Sequence, residues 1–300
     1  MTVNVLPTAR HELDRLTRNL EEIWAFIDGL IDSVPEERWS QRYGKDWTYA
    51  DVPWHLAYFD RVVIAETIAA GTDLPAEACF NLGSMRELNA WNDAEFAKRP
   101  ADVGPRESIG ELRSVHERIR QQLADADDSL LDAPCFNHFF GTGFNGTVRA
   151  ALRSAALHSW GEGTELMVRL GRRDPVPESA TRNALEGYMG FMANSVDVRA
   201  AGEAPFTLVM DLTGPGGGAY TIRVAHGDAR LTVGAAADAD VRMTLDSVTF
   251  NCVMIRRMSN PVLAMLKGKV RVKGLTRMGR MRRIFREPKL DDQLTGSLFT

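Results

Sequence analysis

His158 and Glu162 lie four residues apart in the segment 147–170, whose sequence pattern predicts a helix. Residues at positions i and i+4 share one face of a helix, one turn apart. A neutral imidazole and a carboxylate on the same face can supply two ligands to a divalent metal ion. His55, far upstream in the segment DVPWHLAYFDR, is the candidate for a third ligand. If the fold brings these three side chains together, the N-terminal half contains a metal site.

The alternative for each of these residues is an ordinary packed or solvated side chain, which is the commoner role of a lone histidine in a helix. Trp54 and Tyr58 flank His55, which indicates a partly buried wall. Two glycines argue against a regular helix at the predicted site, because Gly161 and Gly163 each lower helix stability by about 1 kcal/mol relative to alanine. The sequence therefore predicts either another helix in close approach at these glycines or an irregular helix.

The remaining histidines are weaker candidates. His138 lies in the glycine- and aromatic-rich segment 135–146, a predicted loop, where it could take part in catalysis by lining a pocket or could merely pack. His11 and His116 are predicted to lie on solvated helix faces, and His226 in a turn. The sequence carries no nucleophile elbow, phosphate-binding loop or dinucleotide fingerprint.

The composition is that of an ordinary soluble globular protein, and the length of 300 residues predicts two domains. The net charge of -4 favours neither an acidic nor a basic partner for the whole chain. The three cysteines have no Cys-x-x-Cys spacing, which argues against a disulfide framework and a thiolate zinc cluster. The charged start lacks the apolar core of a signal peptide, and no apolar run is long enough to span a membrane. We therefore expect a cytoplasmic protein.

Two periodicities divide the chain. Helical spacing of apolar residues predicts helices at 8–33, 52–70, 84–98, 106–125, 147–170 and 179–199. After residue 200 the pattern alternates, which predicts strands at 206–213, 219–225, 229–233, 240–245 and 270–273, with helices around 247–257, 261–267 and up to 285. The predicted fold class is α plus α+β, with an N-terminal four-helix bundle followed by a small antiparallel or mixed five-stranded sheet with covering helices. The predicted domains are 1–175 and 201–300, joined by a connecting helix at 176–200.

Residues 1–175 resemble the DinB-like superfamily of four-helix bundles, which includes the mycothiol-dependent maleylpyruvate isomerases. The resemblance is carried by DVPWHLAYFDR around His55 and by TVRAALRSAALHSWGEGTELMVRLGR around His158. It implies a divalent metal, zinc first and nickel second, held by His55, His158 and Glu162. The usual later motif is His-x-x-x-His, and here Glu162 takes the second position. The mycothiol branch has a glutamate at the position of Ser154.

Residues 200–286 resemble the sterol carrier protein type 2 domain. The motifs are the hairpin turn at His226, the segment ADADVRMTLD and the segment NPVLAMLKGKVRVKGLTRMGRMRRIF. The resemblance implies an apolar tunnel for fatty-acyl chains or sterols. Flexible methionine side chains suit such a tunnel, although they equally suit an ordinary core. Met243, Met254 and Met265 are the candidates to contact a bound ligand.

The residues and the resemblances together predict a metal-dependent enzyme. It would activate a low-molecular-weight thiol or water for transfer to, or isomerisation of, an electrophilic small molecule. The isomerase relatives contribute an arginine to the metal pocket from a small C-terminal domain, which makes Arg256 and Arg257 candidates for catalysis here. The alternative is a non-catalytic carrier of a lipid or other hydrophobic ligand. The bundle and the sheet edge both offer surfaces for a homodimer.

The segment between residues 256 and 289 is strongly basic, with twelve lysines and arginines and one acid, Glu287. Such a cluster indicates either contact with an anionic membrane or an acyl-coenzyme, or a solvated face. Few aromatic residues interleave with the charges, so we expect no nucleic-acid partner.

Overall fold

The structure, a computed structural model, describes residues 9–44, 47–70, 81–82, 84–127, 129–135, 138–139, 146–194, 196–202, 204–256 and 258–285. The described residues before position 202 form mainly helices, and those after it form a sheet with flanking helices. Within these ranges, no helix combines the length and the apolar character that a membrane span requires.

The N-terminal region is helical, as the sequence predicts. Its helices are α1 (Ala9–Ile31), α2 (Asp51–Asp60), α3 (Thr67–Ala70), α4 (Met85–Ala97), α5 (Pro105–Ala124), α6 (Val148–Arg169), α7 (Glu178–Asn194) and α8 (Val198–Ala201). A π-helical turn, Arg61–Glu66, joins α2 to α3. The predicted helix at 179–199 is divided between α7 and α8.

Burial distinguishes α1 from α6. In α1, apolar residues at helical spacing, such as Leu16, Leu20 and Ile23, are at most 1% exposed, while charged residues lie between them. In contrast, α6 is buried over most of its circumference and packs against α1, α7 and the π-helical turn Asn251–Ile255. A helix enclosed on several sides is central to its fold, so polar residues on α6 must find partners inside the protein.

The start of α2 is defined by side-chain and backbone chemistry. Asp51 accepts hydrogen bonds from the backbone N–H and the hydroxyl of Thr48, at 2.7 and 2.8 Å. Pro53 lies in the first turn, where its missing N–H removes no helical hydrogen bond. These two features fix where the helix begins and therefore which way His55 points.

Four short strands occur between the helices: β1 (Asn81–Leu82), β2 (Pro134–Cys135), β3 (His138–Phe139) and β4 (Gly146–Thr147). The first pairs with the third in parallel, and the second with the fourth in antiparallel. The segment 135–146 was predicted as a loop, but its described residues belong to the short strands β2, β3 and β4.

The C-terminal region contains β5 (Phe206–Thr213), β6 (Gly218–Ala225), β7 (Asp228–Val233), β8 (Val241–Asp246), β9 (Val270–Lys273), α9 (Ser247–Phe250), α10 (Pro261–Leu266) and α11 (Met278–Ile284). The strand order is β7-β6-β5-β8-β9. In this sheet β5 and β8 pair in parallel, and the other neighbouring strands are antiparallel. The predicted five-stranded mixed sheet with helices is confirmed.

Asn251 connects the two regions. It begins the π-helical turn Asn251–Ile255 that continues α9, and it is fully buried. Its Nδ2 donates to the carbonyl oxygen of Gly161 at 2.9 Å and to Oγ1 of Thr164 at 2.6 Å, both on α6. A buried amide that donates twice across the interface holds this turn in one position on α6.

The prediction that His116 is solvated is wrong. Its side chain is 2% exposed, and its ring stacks on Trp24 with centroids 4.1 Å apart. Its Nε2 lies 3.1 Å from Oδ2 of Asp60, which also accepts a hydrogen bond from Trp24 Nε1 at 3.0 Å. Asp60 is fully buried on α2 and needs polar partners, which explains why the imidazole lies in the core.

Gly163 marks the place where α1 crosses α6. A Cβ atom at this position would lie 2.9 Å from Cγ1 of Ile27 and 3.3 Å from the ring of Phe26. The helix runs without interruption through this point. Of the two expectations for the glycines, close approach of another helix is therefore the one found here.

We expect Gly163→Ala to lower the free energy of unfolding by about 1–2 kcal/mol, because overpacking against Ile27 outweighs the gain in helix propensity. Gly29→Ala is the matched control, since a Cβ at this exposed position of α1 meets nothing within 4 Å. The control should raise the free energy of unfolding by about 0.5–1 kcal/mol. Urea unfolding of both variants in chelator measures the difference, and equal stabilisation by both would contradict a tight crossing.

Candidate metal centre

Three side chains that the sequence singled out converge between α2 and α6. His55 Nε2 lies 2.9 Å from His158 Nε2 and 3.5 Å from Glu162 Oε1. His158 Nε2 lies 3.6 Å from the same carboxylate oxygen. Both His55 and Glu162 are only 3% exposed. One potential ligand atom from each residue therefore faces a common point.

The separations fit the donor set of a divalent cation. In a tetrahedral zinc site with bonds of about 2.0–2.1 Å, neighbouring ligand atoms lie about 3.3 Å apart. The three observed separations, 2.9, 3.5 and 3.6 Å, bracket this value. Two imidazoles and one carboxylate are ligands that zinc and other transition metals accept, and a three-ligand set leaves a position for substrate or water.

The hydrogen bonds of His55 determine which of its nitrogens faces the site. Its Nδ1 lies 2.6 Å from the hydroxyl of Tyr58, and that hydroxyl donates to Oδ1 of Asn92 at 2.9 Å. Because the hydroxyl proton goes to Asn92, the oxygen of Tyr58 accepts a hydrogen bond from His55 Nδ1–H. Burial raises the pKa of Tyr58 well above its usual value, so the phenol keeps its proton. The lone pair of His55 Nε2 therefore points to the site.

His158 is held against an aromatic ring. Its imidazole stacks on Phe59, with centroids 3.6 Å apart and an interplanar angle of 10°. Burial and the neighbouring His55 lower the pKa of His158 well below its usual value. Without a metal ion, a hydrogen bond between the two Nε2 atoms requires a proton on His158 Nε2. A divalent cation held by the two nitrogens would take the place of that proton.

Glu162 also binds a residue of the C-terminal region. Arg256 Nη1 lies 2.7 Å from Glu162 Oε1. Burial alone would raise the pKa of Glu162, but the charge of Arg256 and the contacts with His55 and His158 hold it far below its usual value. The carboxylate is therefore ionised, as a metal ligand must be. Since a carboxylate oxygen has two lone pairs, it can accept from Arg256 and still face the histidines.

Space for Arg256 depends on Gly161. A Cβ atom on Gly161 would lie 2.8 Å from Nη2 of Arg256 and 3.0 Å from the hydroxyl of Tyr188. Arg256 Nε also lies 3.5 Å from Glu165 Oε2. Glu165 in turn accepts a hydrogen bond from Arg169 at 2.7 Å. The arginine thus lies between two carboxylates of α6, and Gly161 makes room for it.

The other predicted site residues lie in several elements of the chain. Met243 is buried on β8, and Met254 and Met265 are partly buried in the π-helical turn and on α10. His138 lies in β3, whose backbone pairs with Asn81. Arg257 lies outside the described residues. The predicted roles of these five residues therefore remain predictions.

Several contributors to the site were not predicted from the sequence. Tyr58 is three residues from His55 on the same helix, a spacing that could have indicated its contact. Asn92 on α4 and Asn251 beside α9 carry no sequence signal, because their partners lie on distant segments. Trp47 and Phe96 line His55, with ring centroids 4.6 and 6.2 Å from the imidazole.

Comparisons with known proteins agree with both resemblances. Residues 19–161 match the model of the DinB superfamily, and residues 195–282 match that of the SCP-2 sterol transfer family. The first match includes His55 and His158 and ends one residue before Glu162. The predicted combination of a DinB-like N-terminal part and a sterol carrier-like C-terminal part is therefore confirmed. No curated protein matches the chain significantly.

Several solved structures are similar to this chain. The mycothiol-dependent maleylpyruvate isomerase is 16% identical, with 84% of this chain and 92% of that chain covered and a TM-score of 0.47. A single-residue variant of that isomerase is also 16% identical, covers 82% of this chain and 90% of that chain, and has a TM-score of 0.48. Sterol carrier protein 2 from Yarrowia lipolytica is 15% identical over 36% of this chain and 94% of that chain, with a TM-score of 0.27.

We expect Tyr58→Phe to weaken zinc affinity by about 10–100-fold, because His55 Nδ1–H loses the acceptor that orients its ring. Tyr49→Phe is the matched control. Its hydroxyl is also in a buried residue and donates to the carbonyl of Arg169 at 3.2 Å, away from the ligands. Competition with a chromophoric chelator measures both affinities. Equal affinities in the two variants would show that Tyr58 does not orient the ligand.

Proposed function

We propose that this protein is a metal-dependent enzyme whose site is formed by His55, His158 and Glu162. The observation that carries the proposal is the convergence of one ligand atom from each residue within 4.8 Å. The match of residues 19–161 to the DinB superfamily supports it independently. We propose zinc first and nickel second as the metal, since both accept imidazole and carboxylate ligands.

The proposed reaction is the transfer of a thiol or water to an electrophilic small molecule, or its thiol-assisted isomerisation. A divalent ion bound by the three ligands would lower the pKa of a bound thiol or water and so supply a nucleophile near neutral pH. A low-molecular-weight thiol such as mycothiol is the proposed co-substrate.

Arg256 is the residue of the chain that we propose to act on the substrate. Its guanidinium has several donors, of which Nη1 contacts Glu162. A planar guanidinium that is held by Glu162 through Nη1 and by Glu165 through Nε can present its remaining donors to an anionic group of a substrate. The same contact orients Glu162 as a ligand. We also propose Arg257 and His138 as catalytic residues.

Aromatic side chains around His55 would exclude bulk water from the site. Trp47 and Phe96 contact the His55 ring on one side, and Phe59 stacks on His158. A less polar surrounding strengthens the electrostatic interactions of a bound nucleophile and its substrate. This arrangement fits a reaction in which water must not compete with a thiol.

The proposed enzyme has two domains joined by a helix. We propose a four-helix bundle within residues 1–175, a connecting helix at 176–200 and a sterol carrier-like domain at 201–300, in a cytoplasmic protein. The contact between Asn251 and α6 supports a joint role, because it places the start of the C-terminal turn beside the ligand helix.

A second candidate function is the carriage of a lipid or another hydrophobic ligand. The match of residues 195–282 to the SCP-2 sterol transfer family favours it. Met243, Met254 and Met265 are the proposed contacts. In this case the helical region would be a metal-free partner domain, and substitution of His55, His158 or Glu162 would not abolish ligand binding.

We expect the purified protein to contain near-stoichiometric divalent metal, and His158→Ala to lose it together with thiol-dependent turnover while keeping its fold. Removal of one of three ligands leaves two, which hold a metal ion weakly. Elemental mass spectrometry measures the metal, and far-UV circular dichroism the fold. His11→Ala, on the exposed start of α1, is the control and should keep both metal and turnover. Full occupancy in His158→Ala would contradict the proposed ligand set.

We expect Arg256→Ala to lower kcat/KM, expressed per bound metal ion, by about 100-fold or more, since an arginine contact to a reacting anion is worth several kcal/mol. Arg169→Ala is the control, because Arg169 contacts Glu165 but no ligand. Steady-state kinetics and elemental analysis are made on the same preparations. Unchanged turnover in Arg256→Ala would remove this residue from the proposed mechanism.

A further inference from the structure

Helix α10 exposes large apolar side chains. Val262, Leu263 and Leu266 are 57%, 47% and 81% exposed, although the helix has only six residues. Ala264 is buried and Met265 partly buried, and these two hold the helix on the sheet domain. Half of the six exposed large hydrophobic residues within the described ranges therefore lie on this one short helix. Grouped exposure of this kind marks an interaction surface, whereas single exposed apolar residues are ordinary.

The surroundings of α10 are cationic. Residues 261–285 contain eight lysines and arginines and no acid, in a chain whose net charge is -4. Lys267 and Lys269 follow the helix directly, and Arg271 and Lys273 are the exposed residues of β9. Arg280 is different, because it donates to backbone carbonyls, among them that of Ala201 at 2.9 Å. The four cations Lys267, Lys269, Arg271 and Lys273 are exposed and follow the apolar group most closely along the chain.

Along the chain, the cationic residues follow the apolar residues of α10 directly. Leu266 ends α10, and Lys267 and Lys269 lie between it and β9. In β9 the side chains alternate, so that Val270 is buried while Arg271 and Lys273 are exposed. The surface thus combines leucines and a valine with a row of cations that begins at the next residue.

We propose that this surface, formed by α10 and the 267–273 segment, docks on an anionic lipid bilayer. Leucine and valine side chains can enter the boundary between headgroups and acyl chains, while lysines and arginines bind anionic headgroups. Stable attachment requires both an apolar and an electrostatic contribution, and this surface offers both. The association would be peripheral.

Two other partners fit the surface less well. Single-stranded nucleic acid is held by aromatic platforms between cations, and the only aromatic residue in 261–285 is Phe285 at its end. A folded acidic protein would match the cations but would offer no apolar layer for Leu266. The inference also does not depend on the metal site, whose ligands are on α2 and α6.

Sedimentation of the full-length protein with lipid vesicles tests the proposal. We expect binding to phosphatidylcholine vesicles that contain about 30% phosphatidylserine and little binding to phosphatidylcholine alone, because cations supply part of the attraction. Sodium chloride at about 1 M should weaken the binding, since the Debye length falls to about 3 Å. Equal binding to both kinds of vesicle would overturn the role of the cations.

Two variants separate the apolar from the electrostatic part. Leu266→Gln should reduce partitioning several-fold, and Lys267→Glu with Lys269→Glu should reduce it by about 20-fold or more, at about fivefold for each cation lost. The matched controls are Val233→Gln, which changes an apolar residue that is 79% exposed on β7, and Arg18→Glu with Arg118→Glu, which reverses two exposed charges on α1 and α5.

The controls should keep the partitioning of the unmodified protein. Loss of binding in the controls to the same extent would show a non-specific charge effect and overturn the proposal. Capture of an RNA oligonucleotide or a polyglutamate peptide without vesicle binding would overturn it in favour of those partners. The metal content of all variants should stay unchanged, so failure here is distinguishable from failure of the proposed enzymatic site.

Discussion

Glu162 carries a full negative charge at a position that is only 3% exposed. An ionised carboxylate away from water is stable only when cations or hydrogen-bond donors replace its hydration. Here Arg256, beyond α9, supplies the cation, while His55 on α2 and His158 one turn earlier on α6 face the same carboxylate oxygen as the other candidate metal ligands. Three separate segments, α2, α6 and the turn that carries Arg256, therefore meet at one carboxylate. The same compensation explains how the central helix can bury acidic residues at all.

The two regions of the chain are joined at this carboxylate, and not merely linked in sequence. Asn251 donates to the backbone and to a side chain of α6, and Arg256 follows it by one π-helical turn. Gly161 leaves the room into which the guanidinium fits. A substitution at any of these positions would change the packing or the charge around Glu162 and would therefore affect the candidate metal centre. The C-terminal region thus contributes Arg256 to the candidate site.

Local patterns predicted the elements well, because helix and strand periodicity reflects which residues must be buried. The spacing of His158 and Glu162 was sufficient to place both on one helix face. His116 shows the limit of such reasoning. The polar surroundings of this histidine on α5 indicated a solvated face, but the buried carboxylate of Asp60 lies on another helix and draws the imidazole into the core. No pattern within one helix can contain that information.

The sequence by itself determined the helical N-terminal region, the mixed sheet with its helices, and the residue types of the candidate site. These follow from short-range periodicity and from side-chain chemistry. Only the tertiary structure decided that His55 reaches the other two residues, that its ring is oriented through Tyr58 and Asn92, and that Arg256 contacts Glu162. Such contacts join residues far apart in the chain, and their geometry depends on how whole helices pack. Distances between packed helices are set by every side chain at the interface, so no single motif encodes them.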